Sequence, residues 1–190
     1  AFSASIVDPD PASAGRTVAA ELLDELGGPP ELVLAFVSSR LDPAKALEGL
    51  ASRLPASVKI AGCSSFGEIN SEEALEGSVT AMGFRDIDCE VLKVDNMGTD
   101  SRDAGRRMGL QAQAAGAKLL ITFSDGIQGI AADYLRGLQD VLGATFPIVG
   151  GVAAEHLTFQ ATHELWNREV LVGGAVAVAI RNDFAVATAA

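Results

Sequence analysis

The chain has 190 residues, of which 48% are hydrophobic and only 5% aromatic, a composition and length that suit one α/β domain or two closely packed halves. Its formal net charge is −11, and with no cluster of lysine or arginine this argues against binding to a nucleic acid or an anionic membrane. No apolar run reaches the roughly 18 residues of a membrane span and no secretory signal is visible, so we expect a cytoplasmic protein.

Residues 2–84 are predicted to alternate strands and helices. Ser13 is a candidate cap for the first helix. Asp42 and Pro43 predict the start of the second helix. Proline suits the first helical position because the backbone N–H that it lacks would have no partner within the helix there. The elements expected in this half are strands at 2–8, 32–37, 58–61 and 77–84 and helices at about 13–26 and 43–53.

Residues 89–181 follow the same plan. Asp100 and Ser101 predict a helix start, and the continuous apolar run 118–123 is typical of a strand buried on both faces of a sheet. The elements expected here are strands at 88–94, 118–123, 146–149 and 172–180, helices at about 101–115 and 128–142, and a hairpin about residues 166–168.

The two halves also correspond residue by residue. This predicts an α/β fold in which two pseudo-repeated βαβαββ halves, about 2–87 and 88–183, form mixed sheets covered by helices; convergence between unrelated α/β units is the alternative. The matched positions are Phe36 with Phe123, Gly62 with Gly150, and Gly77-Ser78-Val79 with Gly174-Ala175-Val176.

Residues 60–69 carry the strongest sign of a binding site. A short apolar strand is predicted to end in a turn of small residues, and ligands of α/β proteins bind at the carboxyl ends of strands. The stretch 146–155 repeats this plan, so we expect both turns to border one crevice. The candidate ligand-binding residues are Gly62, Cys63, Ser64, Ser65, Glu68, Asp125, Gly150 and Gly151.

Most of these side chains have a plain structural alternative. The glycines either admit a ligand or make tight turns. Ser64 and Ser65 either bind a carboxylate or cap a short helix near Phe66, and Glu68 either receives an ammonium group or belongs to an exposed acidic loop. Asp125 is most simply the N-cap of the following helix, with a second role at the crevice as the alternative.

A reactive site is a weaker hypothesis. Cys63 as a thiol nucleophile needs a base, and the chain has only His156 and His163 to supply one. Either histidine is also a weak candidate haem ligand, but no cofactor and no metal site is predicted as the leading interpretation. With two cysteines, no CxxC pair and no nucleotide-binding or hydrolase motif, the residues themselves favour binding over catalysis.

Four motifs in order resemble the FIST N-terminal domain family over about residues 31–190. They are Gly-Cys-Ser-Ser followed by Gly-Glu (60–68), Gly77-Ser78-Val79, Leu-Leu-Ile-Thr-Phe-Ser-Asp-Gly (119–126), and Pro147-Ile148-Val149-Gly150-Gly151.

The resemblance implies a bacterial sensory module of signal transduction, here spanning 1–190 and followed by a FIST C-terminal domain and an output domain. It also implies an amino acid or similar small polar metabolite as ligand. A haem-binding nitric oxide sensor, as described for some relatives, is one alternative. Two further alternatives come from the residues themselves. One is a thiol-dependent enzyme, and the other is an interaction scaffold whose terminal strand at 184–190 pairs with a second copy, as a homodimer, or with the following C-terminal segment.

Overall fold

Two mixed β-sheets pack face to face, and each carries two helices on its outer face. The computed structural model describes residues 1–70, 72–183 and 185–187. The helices are α1 (Pro11–Glu25), α2 (Pro43–Arg53), α3 (Ser101–Ala114) and α4 (Ala131–Leu142). The strands are β1 (Phe2–Val7), β2 (Leu32–Ser38), β3 (Lys59–Ser65), β4 (Glu68–Ile69), β5 (Ala74–Leu75), β6 (Ser78–Phe84), β7 (Cys89–Val94), β8 (Leu119–Ser124), β9 (Ile148–Val152), β10 (Glu164–Trp166), β11 (Glu169–Leu171) and β12 (Ala175–Ile180).

The order of strands is the same in the two halves. One sheet runs β1-β6-β2-β3-β10-β11 and the other β7-β12-β8-β9. The pairs β2/β3 and β8/β9 are parallel and their neighbours antiparallel. The predicted α/β fold class with mixed sheets covered by helices is therefore confirmed.

Alternation along the strands divides the apolar residues among three clusters. In β2, Val33 and Ala35 face α1 and α2, whereas Leu32 and Phe36 face the second sheet. In β12, Ala177 faces α3 and α4. Because successive strand residues point to opposite faces, each sheet packs on its helices with one set of residues and on the other sheet with the next.

Glycines bring the two helices of each half into close contact. A Cβ on Gly49 would lie 2.2 Å from the carbonyl oxygen of Ala12 in α1, and one on Gly137 would lie 2.1 Å from that of Arg102 in α3. Gly137 follows Gly49 by 88 residues. The equivalent helices therefore meet at equivalent positions.

Two of the four predicted helix caps, Asp42 and Asp100, are confirmed. Asp42 caps α2, with Pro43 in its first turn, and Asp100 caps α3. The prediction of Ser13 as the first cap is wrong. Asp10 accepts hydrogen bonds from Ala12 N and Ser13 N, so the helix begins at Pro11, before the predicted cap.

The glycine-containing stretches of the predicted crevice are strands, not turns. β3 continues to Ser65 and β9 to Val152, which corrects both predicted ends. A Cβ on Gly62 would lie 1.7 Å from the Ala35 oxygen, and one on Gly150 would lie 1.9 Å from the Thr122 oxygen. These small residues allow close approach between backbones within a sheet.

The predicted alignment of the last strands is wrong by one residue. Thr80 pairs with Phe36, and Val176 pairs with Phe123, so the spacing of the last strands is 96 residues rather than 97. Gly77 thus corresponds to Gly173, not Gly174, and both glycines have φ near +70° (71° and 72°). A longer connection before Gly173 shifts the register.

The hairpin predicted about residues 166–168 is confirmed as β10–β11, and the first half contains its counterpart, β4–β5. Glu68 pairs with Leu75, and Glu164 pairs with Leu171, again 96 residues later. The two hairpins differ in their neighbours: β10 joins the edge of β3 in the other half, whereas β4–β5 forms a sheet of its own.

No helix in the described part of the chain is long and apolar enough to cross a membrane. The terminal strand predicted at 184–190 falls partly outside the described residues, and 185–187 are not in a strand.

Alanine substitutions at the adjacent glycines of β9 test whether the β8 and β9 backbones need glycine to approach each other closely. Gly150→Ala should lower the free energy of unfolding by about 2 kcal/mol or more, because its φ of 139° and the Thr122 oxygen both oppose a side chain. Gly151→Ala is the matched control, since its Cβ would meet nothing within 4 Å. Urea unfolding of both variants gives the comparison; equal losses of stability would contradict it.

Candidate functional site

A cleft of about 470 Å³ lies where the carboxyl ends of β3 and β9 approach each other. It brings Cys63, Ser64 and Ser65 from the first half together with Gly150 and Gly151 from the second. Gly62, Glu68 and Asp125 do not line it. The lining residues are Phe36, Cys63, Ser64, Ser65, Phe66, Gly67, Phe123, Gly150, Gly151, Val152 and Ala154.

Aromatic rings form the apolar part of the cleft. Phe36 and Phe123 meet edge to face, with ring centroids 5.5 Å apart, and these two residues hold corresponding places in the two halves. Phe66 stacks on His156 with centroids 4.7 Å apart. The cleft thus presents three phenylalanine rings beside the ends of β3 and β9, whose side chains there are small except for Val152.

Ser64 joins the two halves at one wall of the cleft. Its N–H donates to the His163 oxygen at 2.8 Å, and its Oγ donates to the Ala154 oxygen at 2.9 Å and accepts from His163 N at 3.1 Å. The prediction of a capped helix near Phe66 is wrong, since β4 follows there. The Ser64 hydroxyl has a structural role.

Glu68 is buried, which corrects its predicted place in an exposed acidic loop. Its Oε1 accepts from Ser65 Oγ at 2.6 Å, and its Oε2 accepts from Ser78 Oγ at 2.6 Å. Because both of its side-chain oxygens accept hydrogen bonds from serines, Glu68 ties the end of β3 to the start of β6.

Asp125 is also fully buried and is not the cap of α4, which follows Ile130 without a side-chain cap. Its Oδ1 accepts from Ile127 N at 2.9 Å and from Gln128 N, and its Oδ2 accepts from Thr162 Oγ1 at 2.7 Å. The carboxylate therefore anchors the loop after β8 to the segment before β10.

The Cys63 thiol is in the wrong environment for a nucleophile. Burial, and the nearby Glu164 carboxyl, raise its pKa to about 12. At neutral pH the group stays a thiol, and the thiolate is the reactive form. This favours a packing role for Cys63 at the cleft wall.

Both histidines lie near the cleft and are engaged in the fold. His156 Nε2 accepts from Arg40 Nε at 2.6 Å, which leaves Nδ1 to carry the proton and face Ser39 Oγ. His163 is half-buried, and burial lowers its pKa. No group of three potential metal-ligating side chains occurs among the described residues.

Glu164 was not among the predicted site residues, yet it is fully buried beside the cleft residue Cys63. Within the described part of the chain its Oε1 has no hydrogen-bond partner, and its Oε2 accepts only a long bond of 3.4 Å from Gly174 N. Burial, and secondarily the charge of Asp125, raise its pKa from 4.5 to about 8. Its spacing from Glu68 is the sequence signal that could have identified it.

The family model described as FIST N domain matches residues 31–190. No curated protein matches the chain significantly.

Glu164 should make stability depend on pH. Its pKa is raised in the fold, so the unfolded chain ionises first and the free energy of unfolding should fall as pH rises from 4.5 to about 8. Glu164→Gln removes this titration. We expect the variant to be more stable than the wild type by about 1–3 kcal/mol at pH 8 and equal to it near pH 4. Urea unfolding across this range measures the difference; parallel pH profiles would rule the assignment out.

The Cys63 thiol should resist modification. In the native protein at pH 8 we expect alkylation at Cys63 to be at least about 100-fold slower than in the unfolded chain, because burial removes both access and thiolate. Mass spectrometry of the Cys63 peptide after timed iodoacetamide treatment measures the rate. Fast native labelling would restore the nucleophile hypothesis.

Proposed function

We propose that this chain, which belongs to the FIST N domain family, senses a small polar metabolite such as an amino acid. The family consists of sensory signal-transduction modules. In this proposal the metabolite binds in the cleft between the two halves. The observation that carries the proposal is the cleft itself, of about 470 Å³, built from corresponding strands of both halves. A molecule held there touches both halves at once.

The open edge of β9 supplies polar groups for such a ligand. Leu120 N donates to the Pro147 oxygen and Ala153 N donates to the Ser124 oxygen, so odd-numbered residues of β9 face β8. The backbone groups of Ile148, Gly150 and Val152 therefore face away from β8. Donors and acceptors of this kind suit the ammonium and carboxylate groups of an amino acid.

Charge is found at the rim of the cleft rather than on its walls. Arg40 donates to His156, which stacks on the lining residue Phe66, and Arg40 also pairs with Glu76 at 2.6 Å. A ligand with an apolar part among the phenylalanines and a carboxylate toward Arg40 fits this distribution.

The sensing mechanism we propose is differential affinity. A ligand that contacts both halves stabilises the arrangement in which they lie closest, and the population of that arrangement rises with occupancy. In this proposal residues 1–190 form one bacterial, cytoplasmic sensory domain made of pseudo-repeats 2–87 and 88–183. A FIST C-terminal domain and an output domain then read the change.

The alternative functions gain no observation of their own. A thiol enzyme would need a thiolate where the pKa of Cys63 is raised to about 12. A haem sensor would need a histidine ring directed into the cleft, whereas neither His156 nor His163 lines it and both ring nitrogens of His156 face protein partners. Small-ligand binding therefore remains the function that the cleft supports best.

Ligand screening by thermal unfolding tests the proposal. At about 100 times its Kd, a ligand should stabilise the protein by about 2.7 kcal/mol, or roughly 5 °C or more in Tm. The probes are the protein amino acids and small carboxylates at millimolar concentration. If none of them raises Tm, the proposal fails.

Gly151→Leu locates the site. A side chain at 151 extends into open space in the cleft, so the variant should fold but lose the ligand-induced shift. Gly151→Ala is its matched control and should keep most of the shift. An undiminished shift in Gly151→Leu would place the ligand elsewhere.

A further inference from the structure

The two halves differ at one edge. In the first half, the outer edge of β3 is covered by β10, which pairs Leu165 with Gly62. In the second half, β9 pairs with β8 alone among the described strands. The residue that corresponds to Leu165 is Ile69 of β4, 96 positions earlier. The strand that would cover β9 by analogy is therefore present in the chain.

Exposure of the matched residues shows the same difference. Leu165 is 0% exposed and belongs to the apolar cluster that contains Leu47 of α2, itself 3% exposed. Their counterparts are exposed: Ile69 by 78% and Leu135 of α4 by 41%. Two apolar side chains thus face water at positions where the other half buries both of their counterparts.

A cavity marks the place where Ile69 would be buried. It measures about 180 Å³ and lies between α4 and β9, lined among others by Tyr134, Leu135 and Ile148. Leu135 of α4 corresponds to Leu47 of α2, because Gly137 and Gly49, which make the equivalent helix contacts, are separated by the same 88 residues. The cavity has room for one branched apolar side chain.

We propose that the open edge of β9 and this cavity form an acceptor for the β4–β5 hairpin of the same chain. By the register of β10 on β3, Glu68, Ile69 and Asn70 would lie opposite Gly151, Gly150 and Val149. Ile69 fills the cavity, and the backbone groups at Gly150 and Val152 gain partners.

Docking of the hairpin closes the cleft. Gly67, at the base of β4, lines the cleft opposite Gly150, Gly151 and Val152. When these backbones approach to pairing distance, the mouth of the cleft narrows. The docking requires no ligand; only its role as a gate for the ligand rests on the proposed function.

A disulfide trap tests the docking without any ligand. By the repeat, Gly67 corresponds to His163 and Val152 to Ser64. Ser64 N donates a hydrogen bond to the His163 oxygen at 2.8 Å. Residues that lie opposite each other in such a strand pair are close enough for a disulfide. The test protein is the double variant Gly67→Cys/Val152→Cys, and the control is the double variant Gly67→Cys/Leu110→Cys. On oxidation with copper–phenanthroline, the test protein should form its intramolecular disulfide at least about tenfold faster than the control. Leu110 lies exposed on α3, away from the cleft.

Ile69→Asp separates docking from random motion. In the Gly67→Cys/Val152→Cys protein, Ile69→Asp should slow disulfide formation at least about tenfold, because burying a carboxylate in the apolar cavity is unfavourable. Val7→Asp, at an exposed position of β1, is the matched control and should leave the rate unchanged. Without the trap, hydrogen exchange at the Gly150 and Val152 amides should be faster in Ile69→Asp than in the wild type.

Three results would overturn the proposal. Equal rates with and without Ile69→Asp would mean that no apolar contact drives the approach. Disulfides only between molecules would assign the β9 edge to a second copy. Unchanged exchange at Gly150 and Val152 in Ile69→Asp would mean that the hairpin does not cover this edge.

Discussion

The pairing of β10 with β3 joins the two halves of this molecule. A hairpin from the second half extends the sheet of the first, and Ser64 adds hydrogen bonds to both His163 and Ala154 at that junction. Together with the apolar cluster between the sheets, this pairing sets where the ends of β3 and β9 lie. The cleft between those ends depends on it.

The cleft exists because the halves repeat a plan but depart from it at one edge. Equal pairing on both sides would cover β9 as β10 covers β3. Instead the edge of β9 and the side chains of Ile69 and Leu135 stay exposed. A repeated fold thus acquires a single opening, bordered by strand backbone that can pair with a ligand or with the hairpin beside it.

Buried carboxyl groups hold the loops around this opening. Glu68 is satisfied by two serine hydroxyls, and Asp125 by backbone donors and Thr162. Glu164 occupies the place of Glu68 in the second half, yet only one of its oxygens has a partner among the described residues. Burial, and secondarily the charge of Asp125, raise the pKa of Glu164 to about 8, so equal positions in the two hairpins differ in their hydrogen bonding.

Much of the fold could be predicted because its signals are local. The apolar runs gave the strands, and Asp42 with Pro43 gave the start of α2. The spacing between Gly62 and Gly150 correctly indicated two stretches that border one cleft. Side-chain roles were harder to predict: Glu68 has the sequence neighbours of an exposed loop residue, but its burial depends on serines at positions 65 and 78.

The sequence by itself determined the order of the helices and of the longer strands, the correspondence between the halves, and the family to which the chain belongs, but not the short strands β4 and β5. Only the tertiary structure decided that Gly62 and Gly150 lie inside strands, because the need for glycine there comes from carbonyl oxygens of neighbouring strands. It also decided which edge is covered. The two hairpins share one register, and the difference between them arises from contacts across the halves, which no local pattern records.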